Sequence, residues 1–235
     1  MANVKQDIKV KKKKWYTIMA PKMFGGTIGE TITSDPNMMI GKTVTSNLMN
    51  LTGEMRQQST NLKFRITGVE DDSVNTEPIS YELVPPSIKR FVRRDTERID
   101  ESFVCETADG VLLKIKPLLV TAAKAKGSQI KVLRKFAVGL TAKEIKTLSY
   151  EEFLKMLIGH RFQSDLKKNL NKIFPLKTCE IRKVEVVKKE KAKKVVSPDF
   201  KWKLKKSEKE ESDEKADAKK SPEANEESVI SPVIS

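Results

Sequence analysis

Charge is laid along this chain in blocks, and the blocks decide how much of it can bury a core. Lys and Arg number 46 against 32 Asp and Glu, a formal net charge of +14 over 235 residues. Residues 207–235 hold nine acids and four lysines, net −5, so the preceding 206 residues carry +19. Residues 188–206 hold nine lysines and two acids, and residues 1–14 hold six lysines against Asp7. Segments this polar bury too little apolar surface to offset the entropy of ordering them, so both ends are expected to be disordered in isolation. The chain therefore divides into a basic arm at 1–14, a folded part at 15–187, a lysine-rich extension at 188–206 and an acidic tail at 207–235.

Within 15–187 the hydrophobic period changes once along the chain. Residues 14–22 read as a strand closed by Pro21, followed by a loop rich in glycine, with Gly25, Gly26 and Gly29. Residues 41–51 are rich in Thr and Val, and Leu62, Phe64 and Ile66 alternate with Lys63, Arg65 and Thr67 as a half-buried strand requires. Residues 74–84 form a further strand, where Pro78 implies an edge or a bulge because proline lacks the ladder N–H. Residues 98–107 and 111–120 are joined by Ala108-Asp109-Gly110, a hairpin signal. A short helix is expected at 85–94 and a helical block from Ser128 onward. Ser149 and Glu152 form a capping box for a helix starting at Tyr150. Another helix is expected at about 160–174, ended by Pro175, before an extended segment at 176–187. Strands that follow one another and then give way to helices indicate an α+β fold.

The positive charge points to a polyanion, because a surface built only for solubility mixes both signs. No acid occurs between Asp109 and Glu144, while eight basic residues do. On the helix at 85–94, Ile88, Phe91 and Val92 share one face, leaving Lys89, Arg90, Arg93 and Arg94 on the other, with Arg98 just beyond. From Ser128, Ile130, Leu133, Phe136 and Ala137 make an apolar stripe, leaving Lys131, Arg134 and Lys135 outside. Lys124 and Lys126 precede that helix. Arginine forks grip phosphate oxygens in a way lysine cannot. With Lys11, Lys12, Lys13, Lys14 and Lys22 near the N-terminus, these are the candidate RNA contacts. Trp15, Tyr16 and Trp202 lie among lysines, but Trp15 and Tyr16 read as the start of a core strand. Phosphate and shape contacts to a folded RNA are therefore expected over base stacking.

Signals for catalysis or cofactors are poor. One histidine, His160, and two distant cysteines, Cys105 and Cys179, do not compose a zinc site, and the cysteines read as core residues of an intracellular protein. His160 falls at a helix junction, where capping or packing accounts for it. Gly25, Gly26 and Gly29 lack the spacing of a phosphate loop. The pairs Asp71/Asp72 and Glu151/Glu152 fit a turn and a first helical turn. Neither a secretory leader nor a membrane span is expected, so no membrane partner, no small-molecule substrate and no cofactor is assigned.

Lys14-Trp-Tyr-Thr-Ile, Ala20-Pro-Lys-Met-Phe-Gly-Gly26 and Ile28-Gly-Glu-Thr31 open a series of motifs. Leu51-Thr-Gly53, Leu62-Lys-Phe64, Val92-Arg-Arg94, Arg98-Ile-Asp100, Lys114-Ile-Lys-Pro117, Ser128-Gln129, Arg134-Lys135, Pro175-Leu176 and Glu180-Ile-Arg-Lys183 follow in order. In this order they resemble the S-three-A-e family of archaeal and eukaryotic small-subunit ribosomal proteins over about 15–187. The resemblance implies a β-barrel-like sheet with helices packed against it and no enzymatic activity. It implies binding to small-subunit rRNA on the platform side near the mRNA exit, with neighbouring ribosomal proteins and mRNA as further partners, in the cytoplasm. It adds Arg182 and Lys183 to the RNA contacts. Asp95 departs from it, standing where a further basic residue is implied, and the acidic tail matches no part of it. The alternative from charge alone is a free DNA- or RNA-binding module of chromatin type.

Overall fold

The computed structural model describes residues 12–187. Lys11, Trp202, the lysine-rich extension and the acidic tail lie outside the described residues. The chain runs β1 (Lys14–Met19), β2 (Thr27–Thr33), a 3-10 turn (Pro36–Met39), β3 (Thr43–Asn47), α1 (Leu48–Thr52) and a second 3-10 turn (Met55–Ser59). Then come β4 (Thr60–Glu70), β5 (Ser73–Leu83), α2 (Pro85–Phe91), β6 (Arg98–Asp100), β7 (Phe103–Glu106) and β8 (Leu112–Thr121). Three consecutive helices, α3 (Gly127–Thr147), α4 (Tyr150–Ile158) and α5 (Arg161–Asn171), precede the last strand, β9 (Leu176–Val186).

Mixed α and β structure is present as expected, but β2 occupies part of the stretch expected as a glycine-rich loop, the strand expected at 98–107 is split into β6 and β7, and the sheet is open. The pairing order is β2-β1-β5-β9-β8-β6, with β3 on β4, β4 on β5 and β7 on β8. Among the described residues no ladder joins β3 to β6 or β7, so the barrel-like expectation is corrected. A barrel fills its interior from its own closed wall. Here the sheet branches and helices fill one face instead.

The branching has a sequence cause. β5 pairs with β1 at Ser73 and Val74 and with β9 at residues 80–82, and Pro78 lies between. On the β4 side the register shifts at Phe64, the partner of Pro78, so the expected bulge is present. Pro117 does the same in β8, between the stretch that pairs with β7 and the stretch that pairs with β6. The Pro117 carbonyl accepts from Glu101 N–H at 3.4 Å, so its missing donor faces the gap between these two short strands. The register also shifts here against β9, where Lys116 opposes Lys183, Pro117 opposes Ile181, and Arg182 is the extra residue. A proline inside a sheet is tolerated where no ladder bond is asked of it.

The main core lies between the sheet and the helical block. Leu62, Phe64, Tyr81, Leu113, Ile115 and Ile181 meet Leu133, Ala137, Phe153, Leu157, Phe162 and Leu166. Phe153 and Phe162 pack edge to face at 5.2 Å. Each such side chain contributes about 1.5–3 kcal/mol by burial, and Phe153→Ala would cost about 3–5 kcal/mol. Cys105 and Cys179 are free thiols in this core, as expected. Tyr16, Ile18, Met39, Ile66 and Val74 form a second, smaller cluster.

Local chemistry sets most boundaries. The Asn47 side chain accepts from Met49 N–H at 2.9 Å, so the strand expected at 41–51 stops at Asn47 and α1 begins. Gly53, at φ 73°, closes α1. Asp71 takes φ 48° in the two-residue turn between β4 and β5, and Gly110 takes φ 72° in the β7–β8 turn. Ser149 and Glu152 form the expected capping box. Gly25 and Gly26 have positive φ and turn the chain, whereas Gly29 lies within β2 opposite Ile18. Trp15 is the clearest correction: alternation buries Tyr16 and Ile18, which leaves Trp15 on the opposite face, 63% exposed.

Candidate nucleic-acid interface

α2 begins with Pro85 and Pro86, whose fixed φ suits a first turn. It ends at Phe91, one turn earlier than periodicity suggested. The Thr96 hydroxyl donates to the Arg93 carbonyl at 2.7 Å and accepts from Arg93 N–H, holding residues 93–96 in a turn. Lys89 and Arg90 are exposed in the last turn of α2, but Arg93 and Arg94 sit on the turn beyond it and not on a helix face. Asp95, at φ 64°, reverses the chain into β6.

The β6–β8 pairing then brings distant segments together. Arg98 opposes Val120, and Thr121 N–H donates to the Glu97 carbonyl at 3.0 Å. The chain leaving β8 therefore emerges beside the 93–97 turn. Lys124 Nζ lies 3.2 Å from Asp95 Oδ1, and Arg134 Nε on α3 lies 3.2 Å from Glu101 Oε1. Arg98 pairs with Asp100 at 2.5 Å. Lys124 thus meets the turn that carries Arg93 and Arg94, and Arg134 meets the segment just after β6, while Arg98 and Asp100 alternate with buried Ile99 and lie on the face of β6 turned away from the core. Lys126 is adjacent as the N-cap of α3, its N–H donating to Gln129 Oε1 at 3.0 Å. Lys131 and Lys135 lie exposed on α3.

Three of those bases face an acid within the chain. Exposed pairs of this kind contribute about 0–1 kcal/mol, so a phosphate can replace the carboxylate at small cost. The surface is a set of loosely held cations and not a fully unneutralised field.

Other sequence candidates lie apart. Lys12 and Lys13 precede β1, Lys14 is its first residue, and Lys22 follows it in a turn, all exposed. Arg182 is exposed at the β9 bulge. Lys183 lies in the sheet beside Glu185 and 3.6 Å from Glu82 Oε2, its side chain 21% exposed, and these acids raise its pKa. Its charge is matched within the sheet. Arg56 was not legible as a candidate: it stands alone among polar residues, and only the fold places it on a cavity with Arg90.

His160 takes φ 55° before α5, and its carbonyl accepts from Ser164 N–H and Oγ. Its Nδ1 lies 3.8 Å from Glu180 Oε2. Burial pushes the Glu180 carboxyl up to about 7 and the His160 imidazole down. Among the described residues no three His, Cys, Asp or Glu side chains converge to hold a metal, and no helix is long and apolar enough to cross a membrane.

Residues 2–190 match the model of the Ribosomal S3Ae family. The chain belongs to that family. It is 32% identical to the small ribosomal subunit protein eS1 of Methanothrix thermoacetophila, covering 76% of this chain and 85% of that one. It is 35% identical to the eS1 protein of Methanobrevibacter smithii, over 75% and 92% of the two chains. The eS1 protein of Saccharolobus solfataricus is 33% identical over 77% and 87%. Family membership bears out the resemblance carried by the ordered motifs, and with it the reading as a non-enzymatic ribosomal protein. The basic surface is thus a feature of a ribosomal-protein fold.

Proposed function

We propose that this chain is a structural constituent of the small ribosomal subunit that binds its rRNA. Arg93, Arg94, Arg98, Lys124, Lys126, Lys131, Arg134 and Lys135 form the main contact surface. The observation that carries this is the convergence of the 93–97 turn, the segment after β8 and the first turns of α3. Surfaces so built neutralise closely packed phosphates and select RNA by shape. Lys11, Lys12, Lys13, Lys14 and Lys22 supply a second contact from the N-terminal side, Lys89 and Arg90 a third, and Arg182 and Lys183 a further one through β9. The place of the protein is the platform near the mRNA exit, beside neighbouring small-subunit proteins and mRNA, in the cytoplasm.

Hydroxyl-radical footprinting of small-subunit rRNA, with and without the full chain, tests this. A bounded set of protected riboses, lost when Arg93, Arg94, Arg134 and Lys135 are all glutamine, is the expected result. Equal affinity for duplex DNA at the same salt would instead favour the chromatin-type module.

A further inference from the structure

The 3-10 turn Met55–Ser59 and α2 enclose an open cavity of about 440 Å3. That is within the range of roughly 300–1,000 Å3 in which small organic groups bind. Its chemistry is divided. Val84, Pro86 and the half-buried ring of Phe91 give it an apolar wall. Arg56 and Arg90 reach it from two different elements, both exposed, and neither guanidinium has an acid partner among the described residues. This contrasts with Arg98 and Arg134, which do. Ser59 and Ser87 also line it, and their hydroxyls make no hydrogen bond within the described residues, although Ser87 is buried.

Two guanidiniums without an acid partner among the described residues, lining one cavity with an apolar wall, ask for a ligand that is anionic at one end and flat and apolar at the other. A bare anion would leave Phe91 and Pro86 wet, and a purely apolar group would leave two buried-side hydroxyls and two cations unused. A nucleoside phosphate satisfies both. We propose that the cavity receives one nucleotide turned out of its RNA strand, its base against Phe91 and Pro86 and its phosphate held by Arg56 and Arg90. Unstacked bases are commonly held on aromatic side chains and arginine planes in this way. Arg90, which lines the cavity, is followed along the chain by the exposed Arg93 and Arg94, so further cations lie close in sequence for the phosphates of a continuing strand. The inference rests on the rRNA-binding reading above and adds to it a base-holding site.

The test uses the full chain, isotope-labelled, titrated with the four ribonucleoside 5′-monophosphates, ribose 5-phosphate and inorganic phosphate. At least one nucleotide is expected to shift the Ser59, Ser87 and Phe91 amide signals with a Kd about tenfold below that of ribose 5-phosphate, which base stacking alone can supply. Arg56→Gln with Arg90→Gln, at exposed positions, should raise that Kd about tenfold with the spectrum otherwise unchanged. Equal binding of nucleotide and ribose 5-phosphate would overturn the proposal. The second arm replaces Met55, which is 74% exposed, by p-benzoylphenylalanine in assembled small subunits. An adduct to rRNA supports the proposal; an adduct to protein only, or none, overturns it. A chain that still binds rRNA tightly but gives no rRNA adduct loses this site alone, whereas one that binds no rRNA loses the functional reading too.

Discussion

The Tyr150 hydroxyl donates to the Pro78 carbonyl at 2.9 Å, 72 residues away in sequence. It reaches β5 at the point where that strand has left β1 and has not yet met β9. A strand that changes partners leaves a backbone group without a ladder bond, and a buried carbonyl without a partner costs about 1–3 kcal/mol. Tyr150 also anchors the β7–β8 turn, since its N–H donates to Asp109 Oδ2 at 2.8 Å. Tyr150→Phe keeps that second bond and the ring. It should lower the free energy of unfolding by about 1–2 kcal/mol, read by urea denaturation, with rRNA affinity unchanged at temperatures where the fold persists. No loss of stability would mean that the carbonyl finds another donor.

Glu180 makes stability depend on pH. Burial raises its carboxyl in the folded chain from 4.5 to about 7, offset in part by Lys167. The native state therefore holds a proton that the unfolded chain has released between these values. The stability tied to that proton is full below about pH 4.5 and is lost as pH rises through 7. Glu180→Gln should match the wild type near pH 4.5 and exceed it by about 1–3 kcal/mol at pH 8. His160 is moved the opposite way by burial, so its stability is present above about 6.5 and falls on acidification in both proteins. Because His160 Nδ1 lies 3.8 Å from the Glu180 carboxyl and neighbouring sites do not add, the two urea curves are compared in a His160→Asn background, and a difference that does not grow from pH 5 to pH 8 would refute the assignment.

Asp95 holds Lys124, one of the cations of the proposed RNA contact. Its pair with Lys124 is exposed on both sides and contributes little to stability, and Asn tolerates the positive φ of this turn. Asp95→Asn removes one negative charge and frees one cation. Binding to small-subunit rRNA should tighten several-fold near 0.1 M salt, and the dependence of log Kd on log salt should steepen by about one phosphate contact. Weaker binding would show that Asp95 orders the surface instead of opposing the RNA.

The two thiols should be silent in the native protein. Burial pushes Cys105 and Cys179 up to about 12, and the thiolate is the reactive form. At pH 8 a disulfide reagent is expected to react with both at the rate of global unfolding, and in denaturant at once. Rapid labelling of Cys179 in the native chain would reveal local opening of β9.

Local chemistry explains what could be read early. The period-two run Leu62, Phe64, Ile66 became buried positions of β4, the Asp-Gly turn became the β7–β8 hairpin, and Ser149 with Glu152 became a cap. Errors fell where a local signal competed with a distant one. The end of α2 was misplaced because Thr96, outside the apolar repeat, bonds the Arg93 backbone. Trp15 and Tyr16 do start a core strand, β1, but apolarity alone does not say which face of a strand points inward, and a shift of one residue exchanges the faces. Lys183 is implied as an RNA contact by the resemblance alone, and only the pairing of β9 with β5 shows Glu82 beside it. Arg56 gave no signal, since a single arginine in a polar turn is ordinary.

By itself the sequence determined the family and most of the strands and helices, because periodicity, caps and turns act over a few residues, but it did not show β2, α1 or the break between β6 and β7. Only the tertiary structure decided that the sheet stays open, that Trp15 faces outward, that Lys124 meets Asp95 and that Arg134 meets Glu101. Those outcomes depend on strand register and on where Pro78 and Pro117 break it. Register is set by pairing between segments tens of residues apart, which no local pattern encodes.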